Sequence, residues 1–229
     1  MYSMKHVLRV SLLAVAALAL MACEDPDAPE PEEATAQDAW WENLQALCGN
    51  AYPGELTKYE EEDDEWLDVD VIMHVRECTP TEIRIPLHVG DNHSRTWVLT
   101  RGEDSIELKH DHRYPDGSEE ALHWYGGTTE DDGTANRQEF PAGDFSKNLF
   151  EEQGIPDSAE NTWYMEVHPG EKFVYGLVRF NREFEAEFDL TDPVEPPRAP
   201  WAVEPDEDWE PDEDEDDEDD NDEDNDEDS

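Results

Sequence analysis

The sequence has 229 residues and a formal net charge of −49, from 64 acidic and 15 basic side chains. A chain so poor in Lys and Arg cannot neutralise a run of phosphates, which excludes nucleic acid as a partner. Cations and basic proteins are its natural electrostatic partners, and the length suits one ordinary domain with appended segments.

The first 22 residues have the pattern of a signal peptide. Lys5 and Arg9 precede an apolar run of about a dozen residues, shorter than the roughly 20 that a helix needs to span a bilayer. The run ends in LMAC, which resembles the bacterial lipobox. That resemblance implies cleavage before Cys23, acylation of Cys23 with chains such as palmitate, and a lipoprotein anchored in the cell envelope, facing the periplasm or the exterior. An ordinary secreted protein cut after Ala22 is the alternative, although Leu20 is larger than such sites prefer.

Two acidic segments flank the middle of the chain. Residues 23–37 are rich in Pro and free of large apolar side chains, so we expect a semi-extended tether. Residues 193–229 begin as a Pro-rich linker and become an acidic run with 20 acidic and no basic residues from Glu204 onward. Like charges at this density repel one another, so we expect a disordered tail. Its carboxylates could associate weakly with Ca²⁺, but the tail lacks the loop pattern of a tight calcium site.

Residues 38–192 are predicted to form one domain, which begins with a helix. From Asp38 to Cys48 the apolar residues have helical spacing, and Asp38 can cap the first turn. The period then changes to two, which predicts nine or ten strands separated by turn signals. The alternating segments are WLDVDVIMHV, EIRIPLHV, RTWVLTR, SIELKHDHR, EALHWYGG, TANRQEF, TWYMEVH, EKFVYGLVRF and EFEAEFDL. A single later helix is predicted over residues 143–154, with Phe145, Leu149 and Phe150 as its apolar stripe.

This order of elements predicts a mainly β fold. We expect an antiparallel up-and-down β-barrel of nine or ten strands with a short N-terminal helix and one helical insertion; a β-sandwich is the second choice. The entry segment LCGNAYPGELTKYEEE, the meander and the aromatic inner face resemble the calycin group of lipocalin-like barrels over residues 45–191, without the Gly-x-Trp signature. The phrases IPLHVGDNHSRTWVLTR and LKHDHRYPDG are similar to a set of uncharacterised secreted bacterial proteins. That similarity implies a location rather than an activity.

Two cysteines remain once Cys23 is assigned to the anchor. Outside the cytoplasm, two thiols in one small domain usually pair, so we expect a disulfide between Cys48 and Cys78. Such a bridge would stabilise the fold by roughly 3–4 kcal/mol. Two unpaired buried thiols are the alternative. The wide spacing argues against redox catalysis or structural zinc.

The segment His110-Asp111-His112 is the most distinctive polar cluster. Strand alternation places His110 and His112 on the inner face and Asp111 on the outer face. Two imidazoles at this spacing can chelate Zn, Cu or Ni, but a metal site needs further ligands. His123 is nearby, and we expect it to face outward because its two neighbours are placed inward. The open alternatives are a metal site, a polar cluster at the barrel mouth, and a pair that orients the polar head of a ligand.

The ligand-binding hypothesis assigns six inner-face residues to an apolar cavity. They are Trp97, His110, His112, Trp124, Trp163 and Phe173. Plain core packing is the alternative for the aromatic members.

Together these patterns predict a non-catalytic, lipid-anchored envelope protein whose barrel binds a small apolar or amphipathic ligand or a protein partner. A metal-binding protein that uses His110 and His112 is the alternative. An enzyme of unknown class comes third, because the sequence has no Gly-x-Ser-x-Gly elbow, phosphate loop or His-Glu-x-x-His motif. No cofactor is expected.

Overall fold

The computed structural model describes residues 34–207 and Trp209. The predicted signal peptide, Cys23 and the acidic end of the tail therefore lie outside the described residues. Eleven strands are present in this part of the chain: Ala51–Lys58 (β1), Val71–His74 (β2), Glu77–Cys78 (β3), Glu82–Val89 (β4), Asn92–Arg101 (β5), Ile106–His112 (β6), Tyr125–Thr128 (β7), Arg137–Pro141 (β8), Thr162–His168 (β9), Lys172–Arg179 (β10) and Arg182–Asp189 (β11). The helices are Ala36–Gln45 (α1) and Asp144–Glu152 (α2), with two 3-10 segments at Glu61–Trp66 and Pro156–Glu160.

The strands form one antiparallel sheet that curves into a nearly closed barrel. Its order is β7-β6-β5-β4-β2-β1-β11-β10-β9-β8, with the short β3 paired to β4. Most neighbours in the sheet are consecutive in the chain; the exceptions are β2 with β4, across the short β3, and β1 with β11, where the first and last strands meet. The prediction of a mainly β, up-and-down barrel is therefore confirmed. The count exceeds the expected nine or ten because two strands were not among the alternating segments: β1, taken from sequence as part of an entry segment, and the two-residue β3.

The last gap of the barrel lies between β7 and β8, and glycine allows these strands to meet. Gly127 bridges to Ala142, and the amide of Gly143 donates to the carbonyl of Gly126 at 3.0 Å. A Cβ atom at Gly127 would lie 1.9 Å from the Pro141 carbonyl oxygen, so no larger residue permits this approach.

Two predicted strands are shorter than their alternation indicates. In WLDVDVIMHV the strand begins at Val71, because Asp68 has φ +60° and the residues before it form a 3-10 turn. In EALHWYGG the strand begins at Tyr125, because Trp124 has φ +62°. The prediction that Leu122 and Trp124 share the inner face of a strand is therefore wrong. The period of two continues through both segments, but the left-handed backbone ends the extended conformation.

The predicted helical insertion is confirmed in position, but the prediction of which side chains it buries is partly wrong. Helix α2 buries Ser146 and Phe150, whereas Phe145 is 53% exposed. The predicted stripe is thus wrong at Phe145, whose ring lies under the Lys109 ammonium instead of in the core.

Helix α1 closes one end of the barrel. A capping box between Thr35 and Asp38 starts the helix, and its inner face buries Trp40, Trp41 and Leu44. Polar side chains of α1 bind two loops and the end of β5; the bonds run from Gln37 to Thr129 and Asp131, from Asn43 to Ala135, from Gln45 to Thr79, and from Arg101 to Asp38. We call this end, formed by α1 and the loops 79–81, 102–105 and 129–136, the closed end.

The predicted disulfide is confirmed. Cys48, just after α1, is bonded to Cys78 in β3. The bridge therefore fixes the C-terminal side of α1 to the barrel wall at the closed end.

The chain continues to contact the barrel beyond residue 192. Val194 donates its amide to the Ala51 carbonyl at 2.9 Å, and Trp201 donates its amide to the His93 carbonyl at 3.1 Å. The Trp201 indole also donates to Asp206 at 2.9 Å. The first part of the predicted tail thus lies against the outer wall. None of the described helices has the length and apolarity that crossing a membrane would require.

Candidate functional site

The end of the barrel opposite α1 contains the candidate site. We call it the open end; it is formed by residues 59–70, 113–124, 142–161 and 179–182. An outer cavity of about 550 Å³ lies there between α2, the second 3-10 segment and the end of β10. Its wall is formed by Leu122, Tyr125, Phe150, Gly154, Ile155, Pro156, Asp157, Ser158, Asn161, Trp163, Tyr175, Leu177, Arg179 and Arg182.

A second, more enclosed space adjoins the outer cavity. This inner cavity has a volume of about 110 Å³. Its wall is formed by Trp66, Leu87, Arg95, Thr96, Trp97, His110, His112, Tyr125, Tyr175, Leu177, Arg182 and Phe184. Tyr125, Tyr175, Leu177 and Arg182 belong to both walls, so the two cavities meet at these side chains.

Strand alternation explains how these residues reach one space. Residues two apart point to the same face of a strand, so each strand supplies a pair near its open end. The pairs are Arg95 and Trp97 on β5, His110 and His112 on β6, Tyr175 and Leu177 on β10, and Arg182 and Phe184 on β11. The pattern places mixed polar and apolar groups above a core that is apolar at the closed end.

His110 is a fully engaged neutral imidazole. Its Nδ1 lies 3.2 Å from the Tyr125 carbonyl oxygen, and its Nε2 lies 2.7 Å from the Tyr175 hydroxyl. Because a carbonyl only accepts, Nδ1 must donate, and Nε2 accepts from the Tyr175 O–H. Burial, with a smaller contribution from the nearby His112, lowers the pKa of His110 to about 3.

His112 belongs to a looser chain of polar groups. Its Nε2 lies 3.3 Å from the Tyr125 hydroxyl, and its Nδ1 lies 3.5 Å from a Glu120 carboxylate oxygen. Burial raises the pKa of Tyr125 to about 12, and burial also raises the pKa of Tyr175. Both phenols are therefore protonated at neutral pH and can donate hydrogen bonds.

Asp111 lies on the other face of β6 from the two histidines, as alternation predicts. Its carboxylate accepts from Arg113 Nε at 2.7 Å and lies 3.5 Å from His123 Nδ1. His123 is thus on the outer face with Asp111. The HDH segment supplies two side chains to the cavity and one to an outer ion-pair cluster.

Two arginines complete the inner cavity. Arg182 makes two hydrogen bonds to Asp63, at 2.8 and 2.7 Å. Arg95 donates from Nη2 to Glu65 at 2.9 Å, and its guanidinium lies over the Trp66 ring at 5.2 Å. Arg95 Nη1 is buried and has no hydrogen-bond partner among the described residues.

The structure brings together four of the six residues assigned to a ligand cavity from sequence. Trp97, His110 and His112 line the inner cavity, and Trp163 lines the outer one. Phe173 lines neither; it is buried in the core, where its ring packs on Trp97 and Phe188. Trp124 also lines neither cavity, because its left-handed backbone lies before β7.

Metal binding by His110 and His112 stays a prediction. Both ring nitrogens of His110 already have partners, so a metal would have to displace the Tyr175 hydroxyl. In the described part of the chain, no group of three or more His, Cys, Asp or Glu residues is placed to hold an ion.

Arg95, Arg182 and Tyr125 were missed as site residues. Arg95 is in phase with Trp97 and Arg182 is in phase with Phe184, so the period of two could have indicated both. Tyr125 gave no such signal, because its register depends on the strand start after Trp124.

Comparisons with family models, curated proteins and solved structures find no match for this chain.

Proposed function

We propose that the barrel binds a small amphipathic ligand at its open end, without catalysis. The observation that carries the proposal is the pair of adjoining cavities in a barrel whose other end is shut by α1. A binding barrel needs one mouth and a space that its own side chains leave unfilled.

The composition of the walls supports an amphipathic ligand. The outer cavity has an apolar patch from Leu122, Phe150, Ile155, Trp163 and Leu177, beside polar groups of Asp157, Ser158, Asn161 and Arg179. The inner cavity has polar groups among aromatic rings. A ligand with an apolar body and a polar head would place the body outside and the head inside.

Fluorescence titration with the neutral apolar probe N-phenylnaphthylamine tests the proposal. We expect probe emission to rise on binding and the rise to be lost in Leu177→Trp, because the indole would fill the space where the cavities meet. Val178→Trp is the matched control, since Val178 is the next residue of β10 and is 37% exposed. Equal probe affinity in the two variants would show that the probe does not bind in these cavities. Native mass spectrometry of gently purified protein should also show a bound small molecule.

We further propose that the protein is anchored through acylated Cys23 in a bacterial cell envelope. The lipobox resemblance supports the anchor, and the Cys48–Cys78 disulfide is typical of proteins outside the cytoplasm. Incorporation of labelled palmitate into the full chain, lost in Cys23→Ser and kept in Cys48→Ser, is the expected result. Labelling of Cys23→Ser at the level of the original chain would contradict the anchor.

A further inference from the structure

The wall of the inner cavity differs in composition from the rest of the protein. The chain carries 64 acidic and 15 basic residues. Yet among the described residues, the inner cavity is lined by Arg95, Arg182, His110 and His112 and by no Asp or Glu. Arg182 is paired with Asp63 and Arg95 with Glu65, and both carboxylates lie outside this wall. The wall itself therefore offers hydrogen-bond donors and no carboxylate to an incoming head group.

The protonation states of the neighbouring groups keep this space free of negative charge. Burial holds the pKa of His110 at about 3 and raises that of Tyr125 to about 12, so His110 is neutral and Tyr125 is a protonated phenol at neutral pH. Tyr175, whose pKa is also raised by burial, donates to His110. None of these groups brings a charge that an incoming anion would have to oppose.

Arg95 has an incomplete set of partners. One face of its guanidinium lies over Trp66, and Nη2 donates to Glu65, whose side chain is 60% exposed. Nη1 is buried and unpartnered among the described residues. A buried donor on a charged group with no acceptor is costly, and a carboxylate oxygen is the acceptor that matches the guanidinium fork best.

We infer that the ligand is an organic carboxylate whose head lies in the inner cavity against Arg95 and whose apolar body occupies the outer cavity. This inference rests on the proposed function, since it names the class of ligand for the same site. A neutral head would leave Arg95 Nη1 weakly paired, and a cationic head would bring no acceptor for it. The inner volume of about 110 Å³ suits a small head group, while the body has about 550 Å³ outside it.

Three competitors with the same naphthalene body test the inference: naphthylacetate, naphthylethanol and naphthylethylamine. Each is titrated against bound N-phenylnaphthylamine in the folded protein at neutral pH. We expect naphthylacetate to displace the probe at a concentration at least about tenfold lower than naphthylethanol, and naphthylethylamine to be the weakest.

The variant Arg95→Met removes the guanidinium group and its charge and retains an unbranched stem that reaches to about the position of Nε. We expect it to lose the preference for naphthylacetate and to keep the affinity for naphthylethanol. Arg84→Met is the control, because Arg84 is paired with Glu82 and Asp111 away from the cavity. Should the Met variant fail to fold, Arg95→Lys retains a charge without the fork and should lose several-fold of the preference.

The outcomes separate the two proposals. If the probe binds but naphthylacetate and naphthylethanol displace it equally in the original protein, the carboxylate inference fails and the ligand-binding proposal stands. If the preference persists in both Arg95 variants, Arg95 is not the group that selects the head. If the probe does not bind at all, the proposed function fails and the inference fails with it.

Discussion

The two ends of the barrel bury opposite kinds of side chain. At the closed end, Trp40, Trp41 and Leu44 of α1 are each at most 1% exposed and rest on an apolar core. At the open end, the interior holds His110, which is hydrogen-bonded on both nitrogens, and Arg95, whose Nη1 is unpartnered in the described part of the chain. The inner cavity lies beside both of these side chains.

The difference shows that one alternating pattern can serve both stability and binding. Every strand has an inner and an outer face, but what fills the interior depends on the element that covers each end. Helix α1 inserts two indoles and fills its end. Helix α2 contacts the edge of β7 through Ser146 and Phe150, and it leaves the space beyond Trp163 unfilled. We therefore expect perturbations of the closed end to change stability and those of the open end to change binding.

The strongest test is Trp40→Ala at the closed end. Trp40 is completely buried and contacts the ring of Phe140 edge-on, so truncation would leave a large cavity. We expect the free energy of unfolding to fall by about 3–5 kcal/mol in urea, while the folded fraction keeps its probe affinity. Trp124→Ala, at a half-buried indole of the open end, should cost far less. A loss of probe binding in folded Trp40→Ala protein would end the division of roles.

Removal of the disulfide is the next largest test of the closed end. Replacing Cys48 and Cys78 together by Ser releases a loop with a sequence separation of 30 residues. We expect a loss of roughly 3–4 kcal/mol of unfolding free energy, because the unfolded chain regains freedom. Urea titrations of the double variant and the oxidised protein measure it. A loss of less than about 1 kcal/mol would show that α1 is held by its packing alone.

The barrel could be predicted from sequence because its evidence is local. The segments EIRIPLHV and EKFVYGLVRF correspond to β4 and β10 almost residue for residue, since each has alternating apolar side chains between turn signals. The disulfide could also be predicted, because only Cys48 and Cys78 remain once Cys23 is assigned to the anchor. These features depend on neighbours in the chain or on simple pairing.

The candidate site could be predicted only in part, because it depends on where strands start and on distant partners. His110 and His112 were placed on the inner face by alternation, and the structure has both in the inner cavity wall. Trp124 was misplaced, because no local pattern announces its positive φ. The partners of Arg95 and the gap above Leu177 come from elements far apart in the sequence, so composition and period could not indicate them.

A smaller effect is expected for Ser146→Ala at the open end. The Ser146 hydroxyl donates to the Gly126 carbonyl and accepts from the Gly126 amide, both at 2.7 Å and buried. Without it the amide loses its partner, so we expect a loss of about 1–3 kcal/mol of unfolding free energy. Lys147→Ala, at the next and exposed residue of α2, should change it by less than about 0.5 kcal/mol. Equal effects of the two substitutions would contradict the role of this bond.

The last expected effect is on the pH dependence of stability, to which His110 at the open end contributes. The folded pKa of His110, about 3, is below the ordinary histidine pKa of 6.5, so between these pH values the unfolded chain binds a proton that the folded chain does not. The contribution of neutral His110 is therefore full above about pH 6.5 and declines as the pH falls toward 3. The unfolding free energy should fall by about 1.4 kcal/mol for each pH unit below about 6, until the folded pKa is reached.

The carboxylates of this acidic chain also titrate in that range, so the test compares slopes between variants. The unfolding free energy of the original protein and of His110→Gln is measured in urea at several pH values between 7 and 4. His110→Gln should start less stable at pH 7, because the amide cannot reproduce both bonds of the imidazole, and should then lose stability more slowly. His168→Gln, on the outer face near the closed end and paired with Glu166, is the control and should not flatten the profile in this way. Parallel profiles for His110→Gln and the original protein would mean that the open end accepts a proton without cost, and that its interior is already wet.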